Sequence, residues 1–150
     1  MKKLLKNELF FAEAERLLAD GQSVTLLVRG NSMRPLLRDG IDRVTIRRHQ
    51  PDEIEKGAVM FFRYKSSYVM HRIKSVTGNE VVFAGDGNYR TVEHARRGDI
   101  IAKVVVITRP DGRKIECSGR RWRIMSAAWL ALPPIARRGI LGISRRINKR

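Results

Sequence analysis

The spacing of apolar positions changes once near the start of the chain. Over residues 8 to 20, Phe10, Phe11, Ala14, Leu17 and Leu18 recur at helical spacing. This predicts an amphipathic helix opened by Asn7 and closed by Gly21. From Ser23 the period shortens to two: Val24, Leu26 and Val28 alternate with Thr25 and Leu27 until Gly30 breaks the run. Further strands are predicted at 44–46, 58–63, 68–76 and 80–84, the last two joined by Thr77-Gly78-Asn79. A near-continuous apolar run at 100–108 turns through Pro110-Asp111-Gly112 into 114–117, the pattern of a hairpin.

Residues 22–118 therefore read as a mainly β domain, preceded by a helical segment at 1–21. Beyond Gly119 the pattern turns helical again, over 120–132 and 135–147, with Pro133-Pro134 between. Trp122, Ile124, Trp129, Leu130 and Ile140 give these two helices an apolar surface, and arginines crowd the rest. The expected architecture is a β domain with an N-terminal helix and a basic helical tail at 119–150.

A chain of 150 residues suits one hydrophobic core. Its charge is unusual: 31 Lys and Arg against 15 Asp and Glu give a formal +16. Residues 109–150 alone hold 12 basic and two acidic side chains. Such an excess favours an anionic partner, either a lipid surface or nucleic acid. The single Cys117 excludes a disulfide framework and a cysteine metal cluster. The longest uncharged stretch of the last third, between Arg123 and Arg137, has 13 residues, short of the roughly 20 that cross a bilayer. Glu8, Glu13 and Glu15 interrupt the N-terminal segment, which argues against a secretory leader. The expected location is the cytoplasm, either free or at a membrane surface.

Three short segments carry candidate chemistry. Gly30-Asn31-Ser32-Met33-Arg34-Pro35 follows a strand directly, so a flexible Gly and a φ-fixing Pro hold Ser32 on a tight turn. Nucleophilic serines need that placement, with Oγ facing a cleft and backbone N–H groups facing the substrate carbonyl. In Tyr68-Val69-Met70-His71-Arg72-Ile73, His71 shares a strand face with Val69 and Ile73. Apolar neighbours favour the neutral imidazole that a general base requires. In Ala84-Gly85-Asp86-Gly87-Asn88, Asp86 is either a turn residue or the acid that orients an imidazole.

The ordered set GNSMRPLLRDG, KGAVMFFR, YVMHRI, AGDGN and GDIIAKVVVI resembles the signal peptidase superfamily, which also contains the self-cleaving repressors. The resemblance covers about residues 24 to 107 and is closest to the archaeal and endoplasmic-reticulum branch. It implies a signal-peptidase-like complex β fold and a serine endopeptidase that cuts a leader or precursor peptide, with no cofactor and no metal. On matching positions, Ser32 is the nucleophile, His71 the general base and Asp86 the motif acid, with Glu93 as a looser second acid. Lys74 does not fall on the position where other branches carry a catalytic lysine.

The chain also departs from that family. Gly57-Ala58 stands where relatives carry Gly-Asp. Gly30 stands where many carry a hydroxyl that binds the oxyanion, which leaves the Ser32 N–H and Asn31 as donors. No N-terminal membrane anchor is recognised, which argues against housekeeping removal of secretory leaders. The resemblance implies an extended peptide as substrate.

Two other readings compete. One is a catalytically weak or inactive module that binds peptides on the same scaffold. The other is a basic nucleic-acid-binding protein, disfavoured because the residues before the β region are too few for a helix-turn-helix module. For the 119–150 tail, an interfacial role on anionic lipid competes with simple packing across the β domain. The aromatics Phe61, Phe62, Tyr64 and Tyr68 are expected in the core more than in a groove. His49 and His94 are expected to be solvated, and Glu53 and Glu55 without a role.

Overall fold

A computed structural model describes residues 2–30, 33, 36–132, 136 and 139–141. It is mainly β. The elements run α1 (Lys2–Ala19), β1 (Val24–Leu27), β2 (Arg43–Arg47), β3 (Val59–Tyr64), β4 (Ser67–Thr77), β5 (Glu80–Gly85), β6 (Asn88–Arg96), β7 (Ile100–Thr108), β8 (Lys114–Glu116) and α2 (Arg120–Ala131).

The strands form one sheet of eight in the order β1-β2-β7-β3-β4-β5-β6, and every pairing is antiparallel. One side of β7 pairs with β2, while the other pairs with β3 along Ile100–Lys103 and with β8 along Val106–Thr108. That shared strand lets a single sheet curl and cover both of its faces.

Strict alternation separates two cores. Phe61, Val59, Ala102 and Val104 pack with Val44, Ile46 and Leu18 of α1 on one face. Met60, Phe62, Ile73, Val81 and Phe83 pack on the other. The Phe62 and Phe83 rings stack with centroids 3.8 Å apart.

Helix α1 is longer than expected. It begins at Lys2, so Asn7 lies inside it and does not open it. Its C-terminus behaves as predicted: Gly21 takes φ +84°, and the N–H groups of Gly21 and Gln22 donate to the carbonyls of Leu18 and Leu17. Ala14 and Leu18 are buried, while Glu15 pairs with Arg63 of β3.

Strand β6 is absent from the sequence-based expectation. NYRTVEHAR is rich in polar side chains, and among the described residues it pairs only with β5, as an edge strand. An edge needs one buried face at most, which dilutes its apolar signal.

The first tail helix belongs to the core. Trp122, Ser126 and Trp129 recur at helical spacing on the buried side of α2, and both indoles join the cluster containing Leu37 and Val44. Among the described residues no helix is long and apolar enough to cross a membrane. Most of the second expected helix, 135–147, lies outside the described residues.

Candidate active site

Strand β4 places His71 through its register. His71 faces Met60 across the β3 ladder, and Ile73 faces Phe83 across the β5 ladder. His71 is buried at 8% exposure, with the Phe62 ring tilted edge-on at 6.4 Å.

The next strand outward supplies the carboxylate. Glu93 of β6 faces Phe83, so Ile73, Phe83 and Glu93 form one row across three strands. From that row Glu93 reaches diagonally to His71, and its Oε1 meets the imidazole at Nδ1. Both side chains are largely buried. A carboxylate at Nδ1 favours the tautomer carrying its proton there and leaves Nε2 as the basic nitrogen.

Asp86 has a different partner. Its two carboxylate oxygens accept from Arg72 Nε at 2.9 Å and Nη2 at 2.7 Å. Arg72 Nη1 also donates to the Gly57 carbonyl at 2.9 Å, and its guanidinium lies 5.4 Å from the Trp122 ring centroid. Trp129 Nε1 donates to the Asp86 carbonyl at 3.2 Å. The expected Asp86–imidazole contact is thus corrected: Glu93 holds His71, and Asp86 clamps Arg72. The reason is parity, since Arg72 and His71 are consecutive on a strand and point to opposite faces.

Ser32 lies outside the described residues, as does Asn31. The described neighbours Gly30 and Met33 each make backbone contacts. Gly30 has φ +85°, and its N–H donates to Asp39 Oδ1 at 2.8 Å. Met33 is buried, and its carbonyl accepts from the Leu37 N–H at 3.0 Å.

Fully buried Asp42 closes the loop. It accepts from the Arg38 N–H at 2.9 Å, from Arg38 Nε and Nη2 at 3.0 and 2.9 Å, and from Arg109 Nη1 at 2.8 Å. The backbone adds Val28 N–H to the Asp42 carbonyl at 2.9 Å and Gly40 N–H to the Val28 carbonyl at 2.7 Å. Two arginines on one desolvated carboxylate keep its charge compensated. Nothing in the sequence marked Asp42, because its partners converge from separate elements.

A cleft of about 290 Å³ lies beside His71. Val28, Gly30 and Met33 contribute one part of its lining, and Tyr68, Met70 and His71 another. Helix α1 braces Tyr68, whose ring stacks on Phe11 at 4.7 Å and on Phe61 at 5.5 Å. Burial, followed by the neighbouring Glu15 carboxylate, pushes the Tyr68 phenol above its ordinary range, so it stays protonated. The arrangement offers a general base at the wall of a small cleft that Arg29 also lines. Among the described residues no group of three His, Cys, Asp or Glu could hold a metal ion.

The other side chains meet expectation only in part. His49 is half-buried, with Nδ1 unpartnered among the described residues, and desolvation lowers its pKa. His94 is exposed but sits on β6 and meets Glu80 at 2.8 Å. Glu53 joins β2 to β7 by accepting from Arg47 Nη1 and Nη2 and from Lys103 Nζ. Phe61 and Phe62 are core, as expected.

No protein-family model and no curated protein matches this chain.

Proposed function

We propose that this protein is a serine endopeptidase of the signal peptidase type, acting on a leader or precursor peptide. One observation carries the reading: a buried imidazole, held at Nδ1 by Glu93, lines the same cleft as Gly30 and Met33. Those two residues flank Asn31 and Ser32 in the sequence. The motif resemblance supplies the assignment of Ser32 as nucleophile.

In this mechanism His71 Nε2 takes the Ser32 hydroxyl proton as Oγ attacks a peptide carbonyl carbon. The imidazolium returns that proton to the leaving amine as the C–N bond breaks, leaving an acyl ester on Ser32. Water then attacks the ester while Nε2 takes its proton, and that proton goes back to Oγ as the acid product leaves. Glu93 stabilises the imidazolium in both half-reactions. Arg72 and Asp86 act as positioning residues behind the strand that carries His71.

Edge strand β1 ends at Leu27, five positions before Ser32 in the sequence, and pairs on one side only among the described residues. Its free edge suits main-chain pairing with an extended peptide.

The test is mass spectrometry of a mixed peptide library incubated with wild type, Ser32→Ala and His71→Ala. The proposal expects cleavage by wild type alone, with circular dichroism showing all three folded. Equal cleavage by either folded variant overturns the assignment.

A further inference from the structure

A second cavity, larger than the cleft at His71, has a volume of about 540 Å³. The loop before β2, the β7–β8 hairpin and the first half of α2 all contribute to it. Arg38, Arg109, Arg113, Lys114 and Arg121 line it. Ile115 and Met125 supply its apolar lining.

These five cations are only partly compensated. Asp42 accepts from both Arg38 and Arg109, and Asp111 pairs with Arg113. Two carboxylates therefore serve three arginines, while Lys114 and Arg121 have no carboxylate partner among the described residues. The excess amounts to three positive charges around one cavity.

Arg121 stands in the first turn of α2, which contains no acidic residue. Cations at the positive end of a helix dipole oppose helix formation, so local stability does not account for this placement. Arg109 is largely buried, and its Nη1 donates to both Asp42 and the Leu36 carbonyl, which fixes its guanidinium at the cavity wall.

We propose that this cavity binds a phosphate group carried on an organic moiety. A phosphate monoester brings nearly two negative charges at neutral pH, and its oxygens match the donor fork of arginine. A carboxylate would bring only one. The volume falls within the range of small-ligand sites, and Ile115 and Met125 give the carbon portion an apolar surface. The proposal does not depend on the peptidase reading.

The test uses the full chain at low salt. Inorganic phosphate is titrated by calorimetry, and vesicles of phosphatidic acid in phosphatidylcholine are compared with pure phosphatidylcholine by sedimentation. The exposed pair is reversed as Lys114→Glu with Arg121→Glu, while Lys56→Glu with Lys74→Glu makes the same change in net charge elsewhere. Wild type and the control should bind alike, and the cavity variant about tenfold or more weakly, the loss of at least one charge-assisted contact. Binding of phosphate with no preference for phosphatidic acid assigns a soluble ester. Sedimentation with phosphatidic acid vesicles that phosphate competes away assigns a lipid headgroup. Equal binding by the cavity variant and the control overturns the proposal, and so does binding of duplex DNA without either phosphate probe.

Discussion

Glu93 meets His71 across an intervening strand, from β6 over β5 to β4. The contact depends on two ladders at once, and both shift register close to it, between Ile73 and Ser75 and between Phe83 and Gly85.

If that carboxylate holds the imidazole tautomer, Glu93→Gln should cut peptide cleavage by about 10²–10⁴-fold, because an amide can donate to Nδ1 and stabilise the wrong tautomer. The loss should fall on kcat more than on KM. Glu93→Asp, which keeps the charge, should recover part of the rate. An unchanged kcat in folded Glu93→Gln refutes the role.

The Arg72–Asp86 pair makes a different prediction, concerned with stability. Both side chains are 2% exposed, so Asp86→Asn leaves a buried guanidinium undercompensated. The expected cost is about 3–5 kcal/mol in denaturant unfolding. Replacing both partners, Arg72→Met with Asp86→Leu, should restore a good part of it. Per folded molecule, Asp86→Asn should lose less activity than Glu93→Gln.

Cys117 should be chemically quiet. Burial pushes its thiol up to about 12, which leaves almost no thiolate at neutral pH. A disulfide reagent should label the native protein slowly and the denatured protein fast. Rapid native labelling would contradict the burial.

Glu53 ties β2 to β7, and its acid strength records that. Arg47 first, then the Gln50 N–H and Lys103, hold it at about 2, below an ordinary 4.5. Its folded pKa is depressed, so its contribution to stability is complete above about 4.5 and disappears as pH falls through about 2. After allowance for solvent around the pair, Glu53→Gln should cost about 1 kcal/mol at pH 7 and almost nothing at the acid end. A pH-independent difference between the two proteins would exclude this linkage.

The sequence by itself determined the local features: where the period shortens from helix to strand, where glycines turn the chain, and that His71 lies on an apolar strand face. Those features follow from steric preference and from alternation, which need only neighbouring residues. Tertiary structure decided which acid meets which base. Asp86 follows its strand in a motif that reads as catalytic, yet alternation along β4 turns Arg72 toward it and His71 away. Glu93 sits in an edge strand too polar to announce itself, and only lateral pairing brings it to the imidazole. Asp42 and the cationic cavity depend on the same kind of convergence. A long-range contact between charged side chains is set by register and sheet curvature, and neither leaves a periodic trace in the order of residues.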